Sequence, residues 1–148
     1  MTQVKVHIHI AAPAERVWEV VMDPQRFDDW VTIHRRVHKA DDGPPRPGMR
    51  MEQTLCLRGA NFKVKWELAA VRPGRHAEWL GRGPMHSYAR TVYDLQDDGD
   101  GGTDFYYSNE FKAPGGPLGA AASRVLVGGL PEREANASLH KLKQLLES

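Results

Sequence analysis

The sequence predicts an α+β fold of the helix-grip type, in which a seven-stranded, curved antiparallel sheet wraps around a long C-terminal helix. Three observations predict it: an alternating apolar segment at the N-terminus, a long succession of strand-like segments, and a final segment with helical spacing. An antiparallel sheet needs its apolar face covered, and the C-terminal helix is the long amphipathic element available to cover it. We expect residues 1–148 to form a single domain.

The N-terminal segment predicts one strand and two short helices. Apolar residues occupy every second position from 4 to 10, as in a strand with one buried face. Pro13 favours the start of a helix, and Asp23 followed by Pro24 supplies a second start signal, an N-cap and a first helical position. Both helices are therefore expected between strands 1 and 2.

The middle of the chain, from position 33 to 113, predicts six strands separated by turns rich in glycine, proline, asparagine and aspartate. Alternation along these strands assigns one set of side chains to the inner face, which looks toward the helix. The set comprises Met51, Gln53, Leu55, Leu57, Phe62, Val64, Trp66, Leu68, Ala77, Trp79, Tyr93, Leu95, Phe105, Tyr107 and Phe111.

The C-terminal segment changes to helical spacing. From Ala135 to Leu146, apolar residues lie four, three and four positions apart, which is one stripe of an amphipathic helix. Pro131 is tolerated only as a first position or at a kink, so residues 118–129 form either a separate helix or the bent upper half of this one.

A cavity is expected beside residues 120–129, because the small side chains there fill little volume. The side chains expected to line it and contact a ligand are Trp66, Trp79, Gln53, Leu55, Val64, Leu68, Ser87, Thr91, Tyr93, Phe105, Tyr107, Asn109, Ala121 and Val125. Aromatic walls with a few polar groups are typical of small-molecule sites, although aromatics also simply fill cores. The inward amides Gln53 and Asn109 weigh against a dry core, since buried amides need partners.

Composition excludes several classes of function. With 20 basic and 19 acidic residues, the net charge of +1 does not favour nucleic acid. No apolar stretch reaches the length of a membrane span, so we expect no stable membrane insertion. The single cysteine, Cys56, rules out internal disulfides and favours a reducing compartment, the cytoplasm. The chain is expected to be a monomer or a homodimer.

Neither a metal nor another cofactor is expected. His7 and His9 share the face of the first strand opposite its apolar residues, and His34 and His38 on one strand would lie about 13 Å apart. The aspartates between positions 97 and 100 lack the glycine and glutamate of a calcium loop and predict a solvated turn. The glycines match no nucleotide-binding pattern.

Several segments carry a resemblance to a known family. They are IHIAAPAERVWEVV at 8–21, DPQRFDDW at 23–30, GGTDFYYSNEF at 101–111, PGGPLG from 114, and SLHKLKQLLE at 138–147. These segments resemble the START-like, or Bet v 1-like (SRPBCC), superfamily and its polyketide cyclase/dehydrase branch. The resemblance implies the helix-grip fold over nearly the whole chain. Members of the superfamily bind, transport or transform very different apolar ligands, so it does not imply one function.

Few functional residues can be carried over. In aromatase/cyclase relatives, aromatics on the fourth strand and a polar residue near the end of the last strand line the pocket, and Trp66 and Asn109 stand at those places. Leu68 and Ala70 stand where those relatives carry a serine and an arginine. Without that arginine, no obvious group at this spot stabilises an enolate or acts as an acid.

Two functions are compatible with these features of the sequence. The first is binding or carriage of a lipid-, isoprenoid- or polyketide-like molecule. The second is a polyketide cyclase, aromatase or dehydratase, with Tyr107, Asn109 or Tyr93 assisting proton transfer. A third hypothesis is that the protein is a protein-interaction adaptor whose pocket is vestigial.

Overall fold

The computed structural model describes residues 2–57, 59–112 and 130–148, and these residues form the predicted α+β helix-grip fold. One antiparallel sheet has the strand order β1-β7-β6-β5-β4-β3-β2. The strands are β1 (Thr2–Ile10), β2 (His34–Ala40), β3 (Arg50–Leu57), β4 (Ala60–Arg72), β5 (His76–Arg82), β6 (Tyr88–Asp97) and β7 (Thr103–Lys112). The α-helices are α1 (Ala14–Val21), α2 (Phe27–Trp30) and α3 (Leu130–Glu147). Single 3-10 turns span Pro24–Arg26 and Pro84–His86.

The two short helices connect opposite edges of the sheet. β1 pairs with β7, from Thr2 opposite Phe111 to Ile10 opposite Thr103, whereas β2 forms the other edge beside β3. The chain therefore crosses the whole sheet between Ile10 and His34. This path brings α2 against α3.

The helix start signals act as the sequence predicts, with one shift. The Asp23 carboxylate accepts a hydrogen bond from the backbone N–H of Gln25 over 2.9 Å and caps the 3-10 turn that begins at Pro24. Pro13 precedes α1 instead of opening it. Its φ of −63° fits a helix, but its ψ of 148° is extended, so the first helical residue is Ala14.

Irregular pairing bends the sheet. The β2–β3 register shifts between His34 and Arg36 and again between Val37 and Lys39, and the β4–β5 register shifts between Leu68 and Ala70. An extra residue on one strand bends that strand and increases its local twist. The curvature predicted for the sheet therefore has an identifiable cause.

The C-terminal helix buries the predicted stripe. Leu139, Leu142 and Leu146 are at most 3% exposed and belong to the same core as Ile10 and Phe105. Pro131 falls in the first turn of α3, where its missing N–H costs no helical bond. The predicted helix over 118–129 lies outside the described residues.

Two side chains near the end of α3 fix it to the end of β1. The Lys143 ammonium donates to the backbone carbonyl of His9 over 2.7 Å and to the Glu147 carboxylate over 2.6 Å. That carboxylate also accepts from the backbone N–H of Ala11 over 2.8 Å. These bonds lower the pKa of Glu147, the one from Lys143 most. The position of α3 over the sheet is thus fixed by polar contacts as well as by leucines.

Candidate ligand cavity

A cavity of about 350 Å³ lies between the concave face of the sheet and the first turns of α3. Its volume is within the range of small-molecule sites. Its walls are mostly aromatic and aliphatic. The lining residues are Trp30, Val31, Ile33, Leu55, Leu57, Ala60, Asn61, Phe62, Val64, Trp66, Gly83, Pro84, Ser87, Tyr88, Ala89, Tyr93, Tyr107, Asn109, Phe111, Lys112, Pro131, Glu134, Ala135, Ser138 and Leu139.

The structure divides the predicted ligand contacts into three groups. On the cavity wall lie Leu55, Val64, Trp66, Ser87, Tyr93, Tyr107 and Asn109. In the packed interior, off the wall, lie Gln53, Leu68, Trp79, Thr91 and Phe105. Ala121 and Val125 are outside the described residues. The second group lies off the wall because alternation tells which face a side chain occupies but not how far along the strand the cavity extends.

Other wall residues come from segments that the prediction left out. Trp30, Val31 and Ile33 belong to the end of α2 and the segment after it, whereas Glu134 and Ser138 belong to α3. The three-residue spacing of Phe27 and Trp30 predicts that both lie on the inner side of the second short helix, and helical spacing predicts the same for Ala135 and Leu139 on α3. Those two signals were sufficient to find this wall, because whatever faces inward from α2 and α3 must meet the concave sheet.

Trp66 is held in place by a buried polar partner and by a glycine. Its indole Nε1–H donates to the side-chain oxygen of Gln53 over 3.0 Å. Its ring lies against Gly81, directly opposite on β5. Trp66 is 8% exposed and forms part of both the core and the cavity wall. A large wall residue is thereby held in one orientation.

Gln53 is bonded on its other side to a buried histidine. The amide nitrogen of Gln53 lies 2.8 Å from Nδ1 of His34, and both residues are less than 9% exposed. Gln53, predicted as a ligand contact, therefore pairs with protein groups at both ends. Its burial needs no ligand to satisfy it.

Three candidate catalytic residues are neighbours. The rings of Tyr93 and Tyr107 are 6.0 Å apart between centroids, and the Asn109 amide nitrogen donates to the Tyr107 hydroxyl over 3.3 Å. Burial raises the pKa of both phenols. Hydrogen bonds from Asn109 and Thr91 oppose that rise at Tyr107. Both phenols are neutral at physiological pH and can donate hydrogen bonds, but neither can serve as a general base there.

Two buried polar atoms of the wall lack a partner. Among the side chains that the structure describes, Trp30 Nε1 and Asn109 Oδ1 are the two buried nitrogen or oxygen atoms without a hydrogen bond. One is a donor and the other an acceptor. Both belong to residues that line the same cavity. Each of the two atoms has almost no accessible surface, so neither faces the open space of the cavity.

The segment after α2 is tied to α3 beside the cavity. The backbone N–H of Thr32 donates to the Ser138 hydroxyl over 3.0 Å. The Thr32 hydroxyl donates to the Glu134 carboxylate. Ser138 and Glu134 are wall residues. These contacts close one side of the cavity.

The β5–β6 connection forms another edge of the cavity and has a strained backbone. Met85 and His86 adopt φ of 55° and 64°, the left-handed region that glycine tolerates best. Ser87 stabilises the turn by donating its hydroxyl to the carbonyl of Pro84 over 2.7 Å. Gly83 and Pro84 predicted the turn, but no sequence signal assigned the left-handed conformation to the two residues that follow.

Several histidines of the described residues pair with aspartates. Within residues 2–57, 59–112 and 130–148, no group of three or more histidine, cysteine, aspartate or glutamate side chains could hold a metal ion. His9 meets Asp98 at 2.7 Å, and His76 meets Asp94 at 2.6 Å. In the same described part, no helix is long and apolar enough to cross a membrane.

Comparison with known proteins assigns the family. The family model described as "Polyketide cyclase / dehydrase and lipid transport" matches residues 1–147. The chain belongs to this family. No curated protein matches it.

Several solved structures have the same fold as this member of the polyketide cyclase/dehydrase and lipid transport family. The Zhui aromatase/cyclase from a Streptomyces species has a TM-score of 0.79 at 18% identity, over 99% of this chain and 93% of that one. A protein from Thermus thermophilus gives 0.79 at 15% identity, over 98% and 97%. A conserved protein from Geobacillus kaustophilus gives 0.75 at 18% identity, over 98% and 95%. At these identities the similarity shows the fold alone.

Proposed function

We propose that the protein binds and carries an apolar small molecule, lipid-, isoprenoid- or polyketide-like, in the cavity between the sheet and α3. One observation carries the proposal: a cavity of about 350 Å³ lies between the sheet and α3, and its walls are mostly aromatic and aliphatic. Cavities of this size with apolar walls and a few polar groups are typical of small-molecule sites.

The polar residues of the wall suggest the chemistry of the ligand. Ser87, Tyr107 and Asn109 bring hydrogen-bonding groups to an otherwise apolar surface, so a ligand with a hydroxyl or carbonyl group fits them. The rest of the ligand is apolar, because the surrounding wall is built from residues such as Val64, Trp66 and Leu139. A compact ring system or short isoprenoid with hydroxyl or carbonyl groups fits this description and the cavity of about 350 Å³.

A second candidate function is a cyclase, aromatase or dehydratase acting in the same cavity. The observation that favours it is the hydrogen bond between Asn109 and the Tyr107 hydroxyl on the wall, which leaves a phenol able to polarise a substrate carbonyl. The raised pKa of Tyr107 and Tyr93 counts against it, since general acid–base catalysis is most efficient when the pKa lies near the operating pH. We therefore rank carriage first.

Native mass spectrometry of the purified protein tests the proposal. We expect a stoichiometric adduct and, after denaturing extraction, an apolar molecule with a hydroxyl or carbonyl group. Asn109→Leu removes one of the few polar groups of the wall, so its adduct fraction should fall. Asn136→Leu is the matched control, because Asn136 is exposed on α3 and lies off the cavity wall. A clean mass for the wild-type protein, together with no binding of apolar probes, contradicts the proposal.

Turnover separates the two candidates. The extracted molecule is incubated with fresh protein and its mass is followed over time. A carrier returns the molecule unchanged. An enzyme converts it, and Tyr107→Phe then abolishes the conversion while affinity is kept, because the phenyl ring still packs on the wall but no longer donates a hydrogen bond.

A further inference from the structure

His34 has a position that the proposed function does not use. It opens β2, its side chain is 3% exposed, and its ring packs edge-on against Phe27 with centroids 5.6 Å apart. A histidine at a strand end is ordinarily solvated, whereas this one is enclosed between α2 and the sheet. Its two ring nitrogens face different partners.

Hydrogen-bond chemistry fixes the protonation state of His34. The indole Nε1–H of Trp66 can only donate, so the Gln53 oxygen must face it, at 3.0 Å. The Gln53 amide –NH₂ must then face Nδ1 of His34, at 2.8 Å. Since –NH₂ can only donate, Nδ1 must accept and cannot carry a proton. The chain of bonds is complete only when His34 is neutral with its proton on Nε2.

The second nitrogen of His34 is reached by a surface charge. Nε2 lies 3.6 Å from the carboxylate of Asp28 on α2, whose side chain is 77% exposed. Gln53 on β3 and Phe27 on α2 are the uncharged groups against the ring. Asp28 favours the charged histidine, while burial disfavours it more strongly and lowers the pKa of His34. The proton that charges His34 is added at Nδ1, since Nε2 already carries one, and Asp28 stabilises the resulting charge through Nε2.

Protonation of His34 breaks the chain of bonds. A proton on Nδ1 turns it from acceptor into donor, so the Gln53 amide has to rotate and offer its oxygen to His34. The rotated –NH₂ then faces the Trp66 N–H, donor against donor, and Trp66 loses its partner. Trp66 is on the cavity wall. A change of charge on His34 thus reaches the cavity through one glutamine.

We propose that His34 is a proton-operated positioning residue: neutral His34 orients Gln53 and so holds Trp66 against the ligand, and protonation of His34 releases Trp66 and weakens ligand binding. The ligand arm of this proposal rests on the proposed function. The relay between His34, Gln53 and Trp66 does not, because it exists without ligand.

Two measurements test the relay and the ligand arm separately. The first follows the indole N–H signal of Trp66 by NMR in the protein without added ligand, between about pH 8 and about pH 4.5, a window around the ordinary histidine pKa of about 6.5. The second measures, over the same window, the affinity for phenylnaphthylamine, an uncharged fluorescent apolar probe. Trp66→Phe assigns the indole signal.

The wild-type protein should show one transition in both measurements. The Trp66 signal shifts together with the ring signals of His34, and probe affinity falls roughly two- to tenfold, the factor expected from one hydrogen bond. His34→Asn places an amide oxygen near the position of Nδ1 and cannot titrate, so it should bind the probe at neutral pH and lose the pH dependence. Asp28→Asn keeps the chain of bonds and should move the transition to lower pH, since it removes the charge that favours protonation.

Two results would overturn the proposal, and a third would overturn only the proposed function. Constant Trp66 signal and constant affinity down to about pH 4.5 overturn the proposal, as does a pH dependence in His34→Asn equal to that of the wild type. A Trp66 signal that shifts with His34 in a protein that binds no probe at any pH keeps the relay and overturns the proposed function. If His34→Asn does not fold, Asp28→Asn alone tests the proposal. A transition that does not move to lower pH in Asp28→Asn then overturns it.

Discussion

Gly81 lies against the indole of Trp66: a Cβ atom added to Gly81 would be 2.7 Å from Cε3 and Cζ3 of that ring and 2.7 Å from Cγ1 of Val64. Trp66 and Val64 are both cavity-wall residues. Real side chains essentially never approach so closely, and the two rigid neighbours on β4 cannot both give way without moving the wall. The absence of a side chain at position 81 therefore sets the shape of the cavity.

Gly81→Ala is expected to displace Trp66 and lower probe affinity. Overpacking of a filled interior costs about 1–3 kcal/mol of stability, and here part of the strain is relieved by moving the indole into the cavity. Phenylnaphthylamine titration and urea unfolding measure the two effects. The control is Gly74→Ala in the β4–β5 turn, where a Cβ meets nothing within 4 Å but φ is 78°. It should lose about 1 kcal/mol to backbone strain and keep wild-type affinity.

The Gln53–Trp66 hydrogen bond is expected to appear as coupling between the two residues. Gln53→Leu leaves the Trp66 N–H without a partner, which costs about 1–3 kcal/mol, whereas Trp66→Phe removes that N–H. The double variant should therefore be more stable than the sum of the two single losses predicts. A double-mutant cycle by urea unfolding measures the difference. Strict additivity would mean that the bond is not formed in solution.

Acid stability is expected to depend on Asp98. Its carboxylate accepts from His9, which is the largest effect, and from the backbone N–H groups of Asp100 and Gly102, and these bonds lower its pKa from 3.8 to about 2. A depressed carboxylate pKa stabilises the folded state above pH 3.8, and the contribution disappears as the pH falls toward 2. The melting temperature of the wild-type protein should rise with pH over this range, and that of Asp98→Asn should not. An unchanged profile between these pH values would contradict the assignment.

Ser138→Ala is expected to loosen the contact between the segment after α2 and α3. The change leaves the Thr32 N–H without its acceptor and should cost about 1 kcal/mol. Hydrogen exchange at the Thr32 amide should accelerate while exchange in β6 and β7 stays slow. Ser148→Ala, at the C-terminus, is the control and should change neither quantity. Equal exchange at Thr32 in wild type and Ser138→Ala would show that the bond does not hold this segment.

The fold was predictable because its signals are periodic. Alternation along β3 and β4 placed Leu55, Val64 and Trp66 on the inner face, and spacings of three and four placed Leu139 and Leu142 on one stripe of α3. Each signal needs only the geometry of one element. The confirmed helix-grip architecture follows from covering a single apolar sheet face with a single long helix.

The site was only partly predictable because it depends on relationships between elements. His34 turns inward where the β2–β3 register shifts between His34 and Arg36. No residue type at those positions indicates that shift. The sequence predicts Gln53 as a ligand contact but does not reveal that His34 is one of its hydrogen-bond partners. Thr91 and Phe105 were assigned to the correct face but lie beyond the cavity, since alternation carries no information about depth.

Filling the cavity from α3 is the most direct test of ligand binding. Ala135 is a wall residue, whereas Ala137 is exposed two positions further along the same helix, so Ala135→Phe and Ala137→Phe add the same atoms inside and outside the cavity. In a phenylnaphthylamine titration, the wild type and Ala137→Phe should bind alike, and Ala135→Phe should bind at least about tenfold more weakly because its ring occupies the ligand's volume. Wild-type affinity in a folded Ala135→Phe protein would contradict the claim that this cavity is the binding site.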